Sequence, residues 1–201
     1  MIVVYFFCFY DIIFYILKKL RNGGSKLENL RYPIGRFELP QHFDQEIRKH
    51  FIQELKEFPN VLNQTVKDLN PEQLNTPYRD GGWTVRQVIH HLADSNINAY
   101  TRFKFALTED QPTIKPFNEK KWAELPDSLQ TDPTVSITLL KAVHSRWVDL
   151  LLSMDEKDFS RCFIHPENGK MDLNQALALY AWHSKHHLAH ITSLLERMNW
   201  K

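Results

Sequence analysis

Four long stretches of the chain carry apolar side chains at intervals of three or four residues and none alternates with period two, so this chain must bury helix against helix. The first holds Ile47, Phe51, Ile52 and Leu55, then resumes after Pro59 with Val61, Leu62, Val66 and Leu69. It reads as one long helix kinked or broken at the proline, which lacks an N–H and crowds the preceding turn. The second opens at Thr84, with Gln87 three residues on to complete a capping box, and runs through Val85, Val88, Ile89, Leu92, Ala99 and Phe103 towards Leu107. The third spans Thr134 to Met154, with Val135, Leu139, Leu140, Val143, Trp147, Leu150 and Leu151 on its inner side. The last opens at Asp172 with Gln175 and lines up Ala176, Leu177, Tyr180, Ser184, His187, Ile191, Leu194, Leu195 and Met198. A turn-rich piece, residues 70–82, separates the first two helices, and an irregular piece around Cys162 to Gly169 precedes the last. The proline-dotted stretch from Pro112 to Pro133, with one helical turn near Trp122, is long enough to act as a lid or a crossover. The expected fold is all-α, a four-helix bundle with one long connection, in which metal sites are built from inward side chains of facing helices.

At 201 residues the chain suits one domain. Twenty-five basic and 24 acidic side chains leave a formal charge of +1, too little to draw in nucleic acid or an anionic membrane. Cys8 and Cys162 make neither a disulfide framework nor a CxxC motif, which suits the reducing cytoplasm. Residues 1–17, MIVVYFFCFYDIIFYIL, are apolar apart from Asp11 and are followed by Lys18, Lys19 and Arg21. The stretch is shorter than the roughly 20 residues of a spanning helix and has neither the basic start nor the cleavage site of a signal peptide. It reads either as a weak anchor or as translated upstream sequence, with Gly23-Gly24 encoded by a purine-rich ribosome-binding sequence and Leu27 by a TTG start codon. Residues 1–26 are therefore set apart as an extension, and the fold is assigned to residues 27–201.

Histidine is the residue type that stands out. There are ten, and four fall between His183 and His190 in the run WHSKHHLAH. Two pairs have i, i+4 spacing, His183 with His187 and His186 with His190, and residues so spaced lie one above the other with Cβ atoms about 5–6 Å apart. Either pair could chelate an ion. His187 lies on the apolar line of its helix, whereas His186 and His190 lean towards Ser193 and Arg197 on a more solvated side, so periodicity favours the first pair. The helix from Thr84 offers His90 and His91 as a third ligand, and His91, one turn on from Val88, is the more inward. The competing reading is plain: hydrogen-bonded core histidines, or a pH-sensitive helix surface.

Beyond spacing, the segments LRYPIG, TPYRDGGWTVRQVIHHLADS and LALYAWHSKHHLAHITSLLERMNW resemble the YfiT type of the DinB-like family, and the likeness extends from about Leu30 to Lys201. The resemblance implies a four-helix bundle, often a homodimer, with a metal site of three histidines found with zinc or nickel. The family's first ligand is the histidine directly before the leucine of an H-L motif, here His91. The other two open and close an H-x-x-x-H motif, here His183 and His187. Residues 1–26 fall outside the family pattern.

Three neutral imidazoles leave an ion at least one exchangeable position, the arrangement of catalytic rather than structural zinc. Zinc is the expected metal and nickel the alternative. Such an ion can activate water or polarise a carbonyl, which makes a metal-dependent hydrolase of a small-molecule substrate the leading expectation. It can also hold a thiol as thiolate; some DinB-like relatives are bacillithiol- or mycothiol-dependent transferases or isomerases, so S-transfer is the rival. A non-catalytic metal-binding bundle is the third reading. Asp94 and Glu196 are the carboxylates nearest in sequence and are expected to be surface or supporting groups, so no catalytic residue is assigned. The turn Arg79-Asp80-Gly81-Gly82 either lines the pocket mouth or only shapes the chain there. Trp83, Trp147 and Trp182 are expected in the core.

Overall fold

The computed structural model describes residues 26–200. In chain order the elements are α1 (Lys26–Arg31), α2 (Gln45–Val66), α3 (Pro71–Leu74), α4 (Val85–Thr108), α5 (Glu119–Trp122), α6 (Pro126–Gln130), α7 (Pro133–Ser153), α8 (Glu156–Phe159), β1 (Cys162–His165), β2 (Gly169–Asp172) and α9 (Leu173–Arg197). The helix starts lie where the capping residues put them. Thr84 accepts from the Gln87 N–H while the Gln87 side chain accepts from the Thr84 N–H, and Asp172 with Gln175 repeats the arrangement at α9. Asp132 caps α7, whose first residue is Pro133, a position where the missing N–H costs nothing.

Pro59 does not break α2. It sits within one continuous helix, and the carbonyl it cannot serve, that of Leu55, accepts instead from Nδ1 of His144 on α7 at 2.6 Å.

Each long helix packs on two others: α4 on α7 and α9, and α2 on the same two. The order around the bundle is therefore α2–α7–α4–α9. Chain order is different, so the links from α2 to α4 and from α7 to α9 both cross a diagonal, and residues 109–132 join the adjacent pair α4 and α7. One core cluster centres on Leu55, Phe103, Trp147 and Leu177, and a second on Leu62, Val88, Leu92, Leu140 and Ile191.

Three sequence expectations need correction. The irregular piece before α9 is a two-stranded antiparallel hairpin, with Cys162 opposite Asp172 and His165 opposite Gly169; four-residue strands are too short to show period two. The stretch from Pro112 to Pro133 contains two helical turns, α5 and α6, rather than one. Val61, Val135, Leu139 and Met198 are exposed, and the inner face of α7 is made by Ile137, Leu140, His144, Trp147, Val148 and Leu151.

None of the described helices is long and apolar enough to cross a membrane. The apolar stretch 1–17 and Cys8 lie outside the described residues, and Cys162 is a buried free thiol.

Candidate metal centre

Because α4 and α9 are neighbours, the inward histidines of both meet. The ligand nitrogens of His91, His183 and His187 all lie within 4.8 Å of one another. Nε2 of His91 is 3.3 Å from Nε2 of His183, and the ring centroids are separated by 5.3 Å (91 to 183), 4.7 Å (91 to 187) and 4.5 Å (183 to 187).

That spacing fits a small cation. Nitrogen ligands at about 2.0–2.1 Å from a tetrahedral zinc stand about 3.3 Å apart, so two of the three atoms already have the separation they need. The Nδ1 atoms of His183 and His187 are buried and find no hydrogen-bond partner in the protein, so nothing here ties these rings to a purely structural network. Burial, followed by the neighbouring imidazoles, depresses all three pKa values: His91 to about 4, His183 to about 3, and His187 well below the ordinary value. Neutral rings with free lone pairs are what a divalent ion requires.

The surroundings are aromatic and open on one side. Trp83 packs against His91 at 4.6 Å and His187 at 6.2 Å, and Phe117 from the long connection reaches His91 at 6.4 Å while resting on Trp122 at 4.7 Å. Gln87 donates to the Ala123 carbonyl at 2.8 Å and Arg86 to that of Thr131 at 2.7 Å, which pins this connection to α4. Beneath it lies a cavity of about 610 Å³ that reaches His91 and His183 and is walled by Ser95, Arg102, His165 and Tyr180. His183 lines this cavity and is only partly buried.

The remaining candidates fall elsewhere. His90 is buried but faces α7, with Nδ1 2.7 Å from Ser136 Oγ and Nε2 3.1 Å from the Thr131 carbonyl. His186 and His190 are not on a solvated side. The end of α1 and the residues after it cover them: the His190 Nε2–H donates to the Arg31 carbonyl at 3.0 Å, Tyr32 lies 5.8 Å from His186, and Phe37 lies 5.8 Å from Trp182. Trp147 is a core residue as expected, but Trp182 is only partly buried, stacked on His186 at 4.5 Å, and Trp83 is a wall of the site.

Asp94 is half-buried, with its carboxyl pushed up to about 6 by burial and by Asp127, and is not among the residues lining the cavity. Glu196 lines a groove with Val61 and Leu195, between α2 and α9. The Arg79–Gly82 turn also stays clear of the cavity and shapes the chain. Gly81 has φ +63°, and a side chain at Gly82 would come within 2.8 Å of Arg79 Cγ and 3.1 Å of the Tyr78 ring.

Arg102, Tyr180 and His165 are the wall residues that spacing did not single out as functional. An arginine on a helix reads as solvated, a tyrosine on an apolar line as core, and His165 enters only through the hairpin turn.

Comparison with known proteins matches this architecture. A protein from Bacillus mycoides (strain KBAB4), provisionally named a metal-dependent hydrolase, is 54% identical over 175 residues, covering 87% of this chain and 100% of the relative. The structure of YfiT from Bacillus subtilis, described as "a probable metal-dependent hydrolase with an unusual four-helix bundle topology", superposes with a TM-score of 0.84 at 50% identity, covering 86% of this chain and 99% of that one. A mycothiol-dependent maleylpyruvate isomerase shares the fold alone, with a TM-score of 0.53 at 14% identity over 69% of this chain and 60% of its own. The model of the DinB superfamily matches residues 54–191, which span α4, the long connection and the histidine-bearing part of α9, and the chain belongs to that superfamily.

Proposed function

We propose that this chain is a metal-dependent hydrolase of a small molecule, with one divalent ion, zinc in the first instance and nickel as the alternative, held by His91, His183 and His187. The observation that carries the reading is the convergence of three neutral imidazoles, two of which, His91 and His183, line a cavity of about 610 Å³. A closed structural site would have a fourth protein ligand, and the only groups among the described residues that meet as a possible ion site are these three histidines. Bound there, the ion supplies Lewis acidity towards water or a substrate carbonyl.

The chain's own residues do the rest. The i, i+4 pair on α9 and the single histidine on α4 hold their nitrogens on two packed helices, so the site is pre-organised by the bundle core. Trp83 and Phe117 close two sides with apolar surface, keeping bulk water off the imidazoles. The carboxylates at the cavity, Glu119 and Glu167, are both exposed. No catalytic base is assigned.

In the same reading the protein works in the cytoplasm, supported by its even charge and its buried free cysteine, and pairs as a homodimer, supported by the exposed Val135 and Leu139 of α7 that a second copy would cover. Light scattering behind a sizing column tests the pairing.

The function is tested on purified protein loaded with zinc or nickel and given a panel of esters and amides, beside bacillithiol with an electrophile. Water-dependent cleavage that disappears in His91→Ala supports the hydrolase. Thiol conjugation transfers the same ion to S-transfer chemistry, and silence in both assays with metal bound leaves a binding bundle.

A further inference from the structure

The cavity beside the triad has a wall made of hydrogen-bond donors. The Arg102 guanidinium donates Nη1–H to the Tyr180 hydroxyl at 2.6 Å, and none of the ion pairs among the described residues includes Arg102. Because Tyr180 Oη accepts that bond and a phenol carries its proton at neutral pH, its own O–H is left to donate. His165 lines the same cavity. Its Nδ1 accepts from the N–H groups of Glu167 at 3.2 Å and Asn168 at 3.4 Å in the hairpin turn, so the proton of the neutral ring is on Nε2.

A guanidinium, a phenol and an imidazole N–H thus share one wall, and a half-buried cation without a carboxylate partner is costly unless a ligand completes it. The acidic residues at the cavity, Glu119 and Glu167, are solvent-exposed, and neither forms an ion pair with Arg102. Tyr180 stands one turn before His183 on α9, with ring centroids 6.5 Å apart, so the donor wall lies within the span of a small molecule from the triad.

We infer that Arg102, with Tyr180 and His165, binds an anionic oxygen group of the substrate, a carboxylate or a phosphate, and so selects compounds that carry this group a few bonds from the reacting one. The inference rests on the metal-centre reading for the second half of the statement; the anion wall itself is built from residues that hold no metal.

Calorimetric titration of the full-length protein, once metal-free and once zinc-loaded, with inorganic phosphate, succinate and the uncharged succinamide provides the test. Phosphate and succinate are expected to bind the metal-free protein and succinamide is not. Arg102→Gln should weaken that binding at least about tenfold, the scale of one charge-assisted hydrogen bond, with Arg102→Lys in between and Tyr180→Phe smaller. Stronger binding of phosphate than succinate would assign a phosphate ester, and the reverse a carboxylate.

Zinc should tighten succinate, which can reach from the wall to the triad. If zinc leaves succinate unchanged while the Arg102 dependence persists, the anion wall stands and the metal reading is the part at fault. If neither anion binds, or if Arg102→Gln binds both like the parent with an unchanged circular dichroism spectrum, the inference is overturned.

Discussion

His144 offers a sharp test of how α2 tolerates a proline. Pro59 has no N–H to give to the carbonyl four residues back, and Leu55 is fully buried, so water cannot serve that oxygen. His144, itself 2% exposed, reaches across from α7 and donates Nδ1–H at 2.6 Å, with its ring against Phe58. His144→Leu keeps much of the volume and the apolar contact but removes the donor. The stranded carbonyl should cost about 1–3 kcal/mol.

Pro59→Ala supplies a helical N–H to the same oxygen, at the expense of the ring's packing. In that background His144→Leu should therefore cost less, by about 1 kcal/mol or more, because the carbonyl is no longer orphaned. Urea denaturation of the four proteins, with slopes checked for constancy, yields the coupling energy. Contacting residues that act through one shared acceptor cannot be additive. Costs that add within about 0.5 kcal/mol would show that His144 does not substitute for the missing helix bond.

Three further outcomes follow from the same geometry. Burial, opposed by the bond to Leu55, holds the His144 pKa at about 4 against an ordinary 6.5, so the unfolded chain binds the extra proton in that window; its contribution is greatest above pH 6.5, is lost as pH falls towards 4, amounts to about 3 kcal/mol, and a denaturation series in His144→Leu should show a shallower pH profile there than the parent. His91→Ala should lower zinc affinity by more than the about 10–100-fold that loss of a mere supporting partner costs, whereas His90→Ala, which unties α4 from Ser136 and the Thr131 carbonyl, should keep the metal and lose stability; competition with a chromogenic chelator separates the two, and equal metal loss would refute the assignment. Saturating zinc at about a thousandfold over its dissociation constant should stabilise the folded protein by about 4 kcal/mol, read as a melting temperature that falls on adding a chelator, and an unchanged melting temperature would count against a site in the folded core.

Much of this was legible in the sequence, for identifiable reasons. Capping boxes at Thr84 and Asp172 are local hydrogen-bond patterns, so the starts of α4 and α9 could be read directly. His183 and His187 share a face by helical geometry alone. What was not legible depends on irregular chain. Nothing in the spacing of His186 and His190 says that residues 31–37, which have no periodicity of their own, will fold back and bury them to 7% and 3% exposure. Val135 and Leu139 look like core positions because an apolar residue one turn from another always does, yet the stripe of α7 that faces inward runs through Ile137, Leu140, His144 and Trp147.

The crossed connections explain why the site exists at this place. In a simple up-down bundle each helix would neighbour the next in sequence, and α4 would lie between α2 and α7. Here α4 lies between α7 and α9, because both the link from α2 and the link into α9 cross a diagonal. That exchange puts His91 opposite the i, i+4 pair of α9. It also carries the hairpin, which belongs to the second diagonal link, to the cavity side of α4, where Ile114 donates to the Ile164 carbonyl and His165 reaches the wall beside Arg102. The histidine triad and the cavity wall beside it are thus consequences of one topological choice, and a circularly permuted chain that preserves helix contacts while cutting within the exposed turn at Glu167–Asn168 should retain the three-histidine geometry but lose the two N–H bonds that fix the His165 ring.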